Sequence, residues 1–379
     1  MLKYKQIFKT LEGIETIFMQ MTQSISVIVP TYKERDNLPE LISRIQKVKE
    51  EHSLNLELII VDDKSEDGSE EYVQSLGLSW CRIIVRHDEK GLSSAVIKGF
   101  TEAHGDIFVV MDADLSHPPE KIPEFIEQIQ AGADMVMGSR YVPGGKTDEE
   151  WGLFRWMNSK IATLLARPLT SVKDPMSGFF ALPRGIYEKS APLNPTGYKI
   201  ALELLVKCPV KKVVEIPIFF SQRARGKSKL SIKEQIKYLI HLRRLYFFKY
   251  ENLTYFFHFS IIGFSGTFVN LLALTILIFC GIPVRLSVAI AIIIAMLSNF
   301  ILNRWFTFPH AVKSHWFPQL IGFMSACSIG AVVNYTTVLI ILYIFPLFEK
   351  LPQIPALIGI LTGLIFNFVL SKKLVFRKK

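Results

Sequence analysis

The sequence predicts an α/β domain with a doubly wound, mostly parallel sheet, followed by an all-α transmembrane domain of four helices. In the first 250 residues, short apolar runs rich in β-branched residues alternate with helical patterns. This alternation is typical of a parallel sheet covered by helices. Beyond residue 251, four segments carry no Asp, Glu, Lys or Arg: 252–284, 286–303, 314–348 and 351–371. Each is long enough to cross a bilayer, which takes about 20 mostly apolar residues.

These patterns divide the 379 residues into four parts. We expect an N-terminal extension at 1–24, the α/β domain at 25–230, an amphipathic interfacial helix at 231–250 and the membrane domain at 251–379. The spans are expected at about 254–281, 285–303, 317–345 and 352–371. A signal peptide is not predicted, because Glu12 and Glu15 interrupt the apolar patch of the extension and no small-residue cleavage site follows.

Basic residues concentrate on one side of the predicted spans. That side carries Lys249, Arg304, Lys313, Lys372, Lys373, Arg377, Lys378 and Lys379, whereas the other carries Arg285 and the pair Glu349 and Lys350. Because positive loops tend to remain in the cytoplasm, we expect the α/β domain and the C-terminus there. The net charge of +10 favours contact with anionic lipid over nucleic-acid binding, since much of it flanks the spans. The four cysteines are dispersed and indicate neither a disulfide framework nor a zinc site.

The α/β domain contains five strand-like runs, at 25–30, 56–61, 82–85, 107–111 and 134–138. Polar residues follow four of them: Tyr32 and Glu34, Asp62 and Asp63, Asp112 and Asp114, and Ser139 and Arg140. The carboxyl ends of parallel strands meet at one rim, so these residues indicate a site for a nucleotide-shaped ligand. Neither a G-x-G-x-x-G after the first strand nor a P-loop motif occurs, which argues against a dinucleotide fold and a P-loop enzyme.

Asp112 and Asp114 end the fourth run. In an extended strand they face the same way, because side chains alternate with a period of two. Two carboxylates beside space for waters and phosphates suit Mg²⁺ or Mn²⁺ held partly by a substrate diphosphate. The alternative is a helix N-terminus capped by Asp114 or Ser116. His87 and His117 are interpreted as polar loop residues rather than bases.

Six motifs in order resemble those of the inverting GT-A glycosyltransferases of family 2. More narrowly, they are similar to those of dolichyl-phosphate mannose synthases and related polyprenyl-phosphate hexose synthases. They are VPTYKE at 29–34, VDD at 61–63, MDADLSHP at 111–118, GSRY at 138–141, DPMSGF at 174–179 and RARGKSKL at 223–230. The resemblance extends from about Ser24 to Leu245. It implies a GT-A fold and hexose transfer from a nucleotide-sugar to a polyprenyl phosphate.

The resemblance also implies roles for the matching residues. Nucleotide-sugar binding is expected of Pro30, Tyr32, Glu34, Asp62, Asp63, Asp112, Ala113, Asp114, Arg140, Arg223 and Lys229, and acceptor-phosphate binding of Arg140, Arg155, Ser159 and Arg223. Asp114, Arg140 and Arg223 are the expected catalytic residues. Asp112 and Asp114 would hold the metal, with either Ser116 or a bridging water at a third position. Arg155 and Ser159 also fit a solvated helix face, since they are four residues apart.

The chemistry can be derived from charge. A phosphate monoester has a second pKa of about 6 and is already anionic near neutral pH, so it needs no strong protein base. A metal would neutralise the leaving diphosphate, while arginines position the attacking anion. In-line attack on an α-linked sugar nucleotide would give a β-linked sugar phosphate. The 231–250 segment, with basic and aromatic residues among apolar ones, suits a helix in the headgroup layer where an isoprenoid acceptor is met.

The membrane half contains an internal repeat. Residues 299–308 resemble 367–376, and 265–270 resemble 329–334. Two helices per unit return the chain to the same side, so both repeats are expected to run in the same orientation. This half resembles the GtrA-type membrane domain, for which movement of a glycosylated lipid has been proposed. Asn270, Asn299, Asn334 and Asn367 indicate either a polar path or interhelical hydrogen bonds.

We favour an integral membrane enzyme that transfers mannose from GDP-mannose to a polyprenyl (dolichyl-type) phosphate at the cytoplasmic face. Two alternatives stay open. One is a polyprenyl-phosphate glucose synthase that uses UDP-glucose, and the other is a glycolipid transporter or flippase whose soluble domain binds a nucleotide-sugar. The expected partners are both substrates and the lipid bilayer, without nucleic acid. The sequence leaves the oligomeric state open, a homo-oligomer included.

Overall fold

The computed structural model describes residues 23–147, 153–194, 197, 199–221, 232–351 and 353–377, with the side chains of 153–156, 349, 350 and 353 excepted. The predicted extension, 1–24, lies almost entirely outside the described residues. The chain divides into two compact units, Met1–Lys249 and Tyr250–Lys379. The boundary falls where scattered charges give way to apolar runs.

The first unit is built on a mixed, mostly parallel sheet. Its strands are β1 (Ile25–Thr31), β2 (Leu56–Asp62), β3 (Cys81–Val85), β4 (Ile107–Val110), β5 (Met135–Ser139), β6 (Lys146–Thr147), β7 (Phe180–Pro183), β8 (Val213–Pro217) and β9 (Phe219–Phe220). Seven form one sheet in the order β3-β2-β1-β4-β7-β5-β8, and β6 pairs with β9. The five predicted strands all occur, and the predicted fold class is confirmed.

Strand β7 is the antiparallel member of the main sheet. It lies between β4 and β5 and pairs antiparallel with both, whereas β1 pairs parallel with β2 and β4. Because β1 and β4 sit side by side at the centre, the loops after them face one rim. This is where an open α/β sheet places its ligand.

Helices cover both faces of the sheet in the first unit. They are α1 (Leu38–Glu51), α2 (Ser69–Ser75), α3 (Leu92–Glu102), α4 (Ile122–Gln130), α5 (Leu153–Ala166), α6 (Arg184–Glu188), α7 (Ile200–Lys207) and α8 (Ile232–Lys249). Val27 and Val29 of β1 pack in the core with α1 and α4, and Ile28 packs in a second core with α3 and α7. The strand alternation therefore divides the apolar residues between two cores, which makes the sheet doubly wound.

Helix α8 is attached to the segment that contains α5. The hydroxyl of Tyr238 donates to the Ala162 carbonyl at 2.7 Å, and that of Tyr246 donates to the Leu165 carbonyl at 2.7 Å. Large apolar residues of α8 are exposed, among them Ile232, Ile236, Leu239 and Ile240. This helix corresponds to the predicted amphipathic segment, and it exposes an apolar surface although it is pinned to the α/β unit.

The second unit consists of four long apolar helices. These are α9 (Glu251–Phe279), α10 (Val284–Leu302), α11 (Trp316–Ile344) and α12 (Gln353–Leu370). By length and composition, all four are able to cross a membrane. Helix α9 packs mainly on α10, and α11 packs mainly on α12. The unit is therefore a pair of helical hairpins.

The internal repeat is visible in the hairpin contacts. A Cβ atom on Gly266 would lie 2.4 Å from Asn299 Nδ2, and one on Gly330 would lie 1.8 Å from Asn367 Oδ1. In each hairpin, an asparagine of the second helix thus packs against a glycine of the first. Small residues allow this close approach of membrane helices. For Asn299 and Asn367, this contact favours the helix-packing interpretation over the polar path.

Each second helix ends in one turn of π-helix, at Asn303–Thr307 and Ser371–Val375. The phenylalanines that follow, Phe308 and Phe376, stack with ring centroids 4.8 Å apart. These turns confirm the predicted repeat, because equivalent positions adopt the same uncommon geometry.

Candidate active site

A cavity of about 860 Å³ opens at the carboxyl ends of the central strands. Its wall combines strand-end residues with residues of α5, α7 and α8. The predicted site residues on it are Pro30, Tyr32, Glu34, Asp63, Asp112, Ala113, Asp114, Arg140 and Ser159. The structure therefore brings together residues that lie up to 129 positions apart in the chain, between Pro30 and Ser159.

Asp62 and Asp63 are adjacent, but their carboxylates have different surroundings. Asp62 accepts hydrogen bonds from the Thr31 hydroxyl at 2.9 Å and from the backbone and side chain of Ser65 at 2.7 and 2.6 Å. It does not contribute to the described wall of the cavity. Its oxygens shape the turn after β2, and the nucleotide contact expected of Asp62 stays a prediction.

Asp63 does line the cavity, and a buried arginine orients it. Oδ1 accepts from Arg86 Nε at 2.8 Å and also from Arg86 Nη2, while Oδ2 accepts from the Gly91 amide at 2.7 Å. Arg86 also donates to the Ser94 hydroxyl at 2.9 Å. Arg86 carries no motif signal, and it is a part of the site that the sequence did not predict.

The loop after β4 holds Asp112 and Asp114. The Asp112 amide donates to Nδ1 of His117 at 3.0 Å, and Leu115 adopts the left-handed region with φ of 62°. His117 is 1% exposed, and its ring stacks on Phe179 with centroids 5.3 Å apart. Burial lowers the pKa of His117 and favours the neutral ring. His117 is thus a buried support of this loop, which differs from the polar loop residue predicted.

Ser116 faces Asp114 rather than the cavity. Its hydroxyl donates to Asp114 Oδ1 at 2.5 Å, its amide donates to the same oxygen at 3.2 Å, and the residue is fully buried. Ser116 is not part of the described cavity wall. The described helical turn that follows has Pro118 at its N-cap and no side-chain cap, so these contacts do not cap a helix. They orient Asp114 within the loop.

The two carboxylates fit a divalent cation that is completed by a ligand. No cluster of three or more His, Cys, Asp or Glu residues suited to a metal occurs within the described ranges. Mg²⁺ commonly takes one or two carboxylates and completes its shell with waters and substrate phosphates. A Cβ on Gly178 would lie 3.2 Å from both Asp112 oxygens, so the glycine keeps space beside this carboxylate.

Arg140 is held by a residue outside the predicted site. Asp174 Oδ2 accepts from Arg140 Nε at 2.7 Å and from its amide at 3.0 Å, while Oδ1 accepts from Nη2 at 2.7 Å. The Arg140 charge lowers the pKa of Asp174 although burial opposes this. The DPMSGF motif at 174–179, to which the resemblance assigned no role, therefore holds Arg140 in place through Asp174.

Lys199 lines the cavity and was not predicted from the sequence. Its Nζ donates to the Met176 carbonyl at 3.0 Å. Burial and then the Arg140 charge lower the pKa of Lys199 to about 8, so the amine remains largely protonated at neutral pH. Lys199 is not at the end of a strand and precedes an ordinary apolar helix, so no local pattern indicated it.

Apolar residues form part of the cavity wall. They are Ile161, Ala162 and Leu165 of α5 and Leu239 of α8, and the polar residues Glu234, Gln235 and Lys237 of α8 also line the cavity. Ser159 also lines the cavity, and its hydroxyl oxygen lies 2.9 Å from that of Tyr141. The backbone of Arg155 belongs to α5, but its side chain lies outside the described set. Arg223 and Lys229 also lie outside the described residues, so their predicted contacts stay predictions.

Comparisons with known proteins agree with this architecture. Residues 26–190 match the model of glycosyl transferase family 2, and 258–376 match the GtrA/DPMS transmembrane domain. A dolichol-phosphate mannosyltransferase of Pyrococcus furiosus is 44% identical over 350 residues, which cover 91% of this chain and 96% of that protein. A dolichol-phosphate mannosyltransferase of Saccharomyces cerevisiae is 46% identical over 240 residues, covering 61% of this chain and 90% of that one.

A polyprenol monophosphomannose synthase of Mycolicibacterium smegmatis is 34% identical over 231 residues, covering 58% of this chain and 85% of the relative. The class defined by the fold and the matches is a membrane-bound glycosyltransferase of family 2. Within that class, the chain belongs to the dolichol-phosphate mannosyltransferase family. The predicted enzyme class is confirmed, as is the prediction of an integral membrane protein.

Proposed function

We propose that this chain transfers mannose from GDP-mannose to a polyprenyl monophosphate at the cytoplasmic face, with inversion to the β-linked product. The observation that carries the proposal is the cavity itself, which runs from the carboxylates after β4 to the apolar residues of α5 and α8. A nucleotide-sugar fits the polar end, and a phosphate with an isoprenoid tail fits the apolar end. The names of the three relatives support mannose and a polyprenyl acceptor.

The apolar end suits a substrate that stays in the membrane. On α5, Ile161 is 51% exposed and Leu165 is 40% exposed, and Leu239 on α8 is 53% exposed. Exposed apolar groups of this size commonly mark a surface that is covered by a ligand or a lipid. The hydrogen bonds of Tyr238 and Tyr246 keep α5 and α8 together, so the two sides of this opening are held at a fixed spacing.

The polar end of the cavity must offset the negative charge of both substrates. Both substrates are anions, and their approach is unfavourable unless cations offset the repulsion. Asp112 and Asp114 would hold Mg²⁺ or Mn²⁺, which supplies charge neutralisation for the leaving diphosphate. Arg140 is oriented by Asp174 and presents a fixed guanidinium at the cavity wall. Its planar donors suit phosphate oxygens.

The protein does not need a strong base for this transfer. The acceptor oxygen already carries the electron pair that attacks the sugar C1 atom, since a phosphate monoester is ionised near neutral pH. The bond from C1 to the diphosphate oxygen breaks as the new bond forms. Because attack occurs opposite the leaving group, an α-linked donor gives a β-linked product. His117 takes no part in proton transfer, in agreement with its buried position.

The donor assay tests the proposal. Purified full-length protein is incubated with polyprenyl phosphate, Mg²⁺ and equal concentrations of labelled GDP-mannose and UDP-glucose. We expect labelled mannosyl lipid in large excess, and NMR of its anomeric proton should identify the β-linkage. Glucosyl lipid as the main product would contradict the mannose assignment. Vesicles in which lipid moves across the bilayer without any donor would instead support a transporter.

The orientation has its own test. The cytoplasmic assignment is supported by the basic residues that flank the spans on the side of the α/β unit. In sealed inside-out vesicles, externally added donor should be used without detergent. A requirement for detergent in those vesicles would place the site on the other face.

A further inference from the structure

Lys199 lines the cavity. It immediately precedes α7 and shares the cavity wall with Asp112, Arg140 and Gly178. The contact with the Met176 carbonyl, at 3.0 Å, fixes the ammonium beside the DPMSGF motif.

The other described cations of the wall have different positions. Lys90 lies 5.1 Å from the ring centroid of Tyr32, near the outer strand ends. Lys237 donates to Glu234 at 2.7 Å on α8. Arg140 gives two side-chain hydrogen bonds to Asp174. Among the described lysines of the cavity wall, Lys199 is therefore the one that lies beside both Arg140 and the loop that holds Asp112 and Asp114.

The local charge favours an anion-binding task for this lysine. Asp112, Asp114 and Asp174 contribute three negative charges, against which stand the charges of Arg140 and Lys199. Lys199 and Arg140 each offset part of this negative charge, so both cations favour the approach of an incoming phosphate.

We propose that the Lys199 ammonium binds a phosphate oxygen of the reacting substrates and is a catalytic residue of this transferase. The inference rests on the proposed function for the identity of the substrates. The phosphate has two possible sources, the diphosphate of the nucleotide-sugar and the monophosphate of the lipid. In either case, the lysine offsets the charge that otherwise keeps the two anions apart.

Three variants separate charge from packing. Lys199→Met removes the charge and the donors, Lys199→Gln keeps an N–H donor for the Met176 carbonyl without the charge, and Lys199→Arg keeps the charge. Lys189→Met is the matched control, since Lys189 is exposed and lies away from the cavity wall. Full-length proteins in detergent are compared by calorimetric titration with GDP and GMP in Mg²⁺, and by the KM for polyprenyl phosphate.

If Lys199 contacts the leaving diphosphate, its replacement should weaken the binding of GDP but not that of GMP. Lys199→Gln and Lys199→Met should weaken GDP binding by about tenfold to a hundredfold, the range of a lost charged hydrogen bond, and leave GMP binding unchanged. A contact to the acceptor predicts unchanged GDP binding and a KM for polyprenyl phosphate raised by about tenfold or more. Lys199→Arg should recover part of either loss, and Lys189→Met should match wild type.

Two results would overturn the assignment. One is wild-type GDP affinity together with a wild-type KM in Lys199→Gln. The other is an equal loss of GDP and GMP affinity with a lower unfolding temperature, which indicates a structural lysine. If wild type binds GDP but transfers no mannose, the proposed function fails, and the GDP and GMP comparison still decides the lysine. If the wild-type protein binds UDP rather than GDP, the same comparison is made with UDP and UMP.

Discussion

Asp174 and Arg140 form a buried ion pair in which both carboxylate oxygens accept from the guanidinium, each at 2.7 Å. Their side chains are 0% and 9% exposed. Asp174 is fixed in turn, because its amide donates to Glu215 of β8 at 3.0 Å. The pair joins the loop after β5 to the segment before β7, so the position of the cavity cation depends on a contact across 34 residues.

Removing Asp174 should therefore affect both stability and transfer. In Asp174→Asn, Arg140 becomes a buried cation without its carboxylate, and breaking such a pair costs about 3–5 kcal/mol. We expect a lower unfolding temperature of the α/β unit and at least tenfold slower mannose transfer. Asp106→Asn is the control, because Asp106 is exposed and its carboxylate accepts hydrogen bonds only from Ser24 among the described residues. A wild-type rate and unfolding temperature in Asp174→Asn would contradict this.

His117 should influence metal activation without acting as a base. His117→Phe retains a ring against Phe179 but removes the acceptor for the Asp112 amide. A buried amide without an acceptor disfavours the present loop conformation by about 1–3 kcal/mol. The Mg²⁺ concentration for half-maximal transfer should rise about tenfold. The exposed His87→Phe should not change it, and a normal Mg²⁺ requirement in His117→Phe would exclude this support role.

Glu203 should make the α/β unit sensitive to acid. Burial alone would raise the pKa of Glu203, but His241, the Asn194 amide and Lys207 together lower it to about 2. A carboxyl whose pKa is depressed on folding adds stability above its unfolded pKa of about 4.3, and this stability is lost as pH falls toward 2. Unfolding temperatures measured from pH 6 to pH 3 should fall less steeply in Glu203→Gln than in wild type. The exposed Glu127→Gln should keep the wild-type slope.

The membrane unit should be sensitive to the glycines that face asparagine. In Gly330→Ala, the new Cβ would overlap Asn367 Oδ1, so the hairpin of α11 and α12 must open. We expect a lower unfolding temperature for this unit in detergent, with GDP binding retained by the other unit. Gly263→Ala is the control, since nothing lies within 4 Å of its Cβ position. Combining Gly330→Ala with Asn367→Ala should restore stability, and failure to do so would indicate another cause.

Local patterns account for most of the fold. The five predicted strands were identified because buried parallel strands form continuous apolar runs, and the membrane helices because they lack charges. Strand β7 was missed, since its four residues follow a turn-rich motif and pair antiparallel at long range. The repeat was recognised from sequence, but its π-helical turns were not, because the backbone geometry there depends on packing.

Site residues were predicted only where a motif carried them. Asp62 and Asp63 are adjacent in one motif, yet the chain turns one toward Ser65 and the other toward the cavity. Arg86, Asp174 and Lys199 are held in place by contacts with distant residues, and a single sequence does not contain that information. Asp112 and Asp114 were predicted because side chains two positions apart face the same way in an extended strand.

Transfer by Asp114→Ala is the most direct test of the carboxylate site. Wild type and variant are compared with labelled GDP-mannose, polyprenyl phosphate and saturating Mg²⁺, after membrane insertion and the unfolding temperature are shown to match. The carboxylate pair at the strand ends predicts a loss of about a hundredfold or more in the variant, because the ion that neutralises the leaving diphosphate is no longer held. Mannose transfer at the wild-type rate would contradict the account.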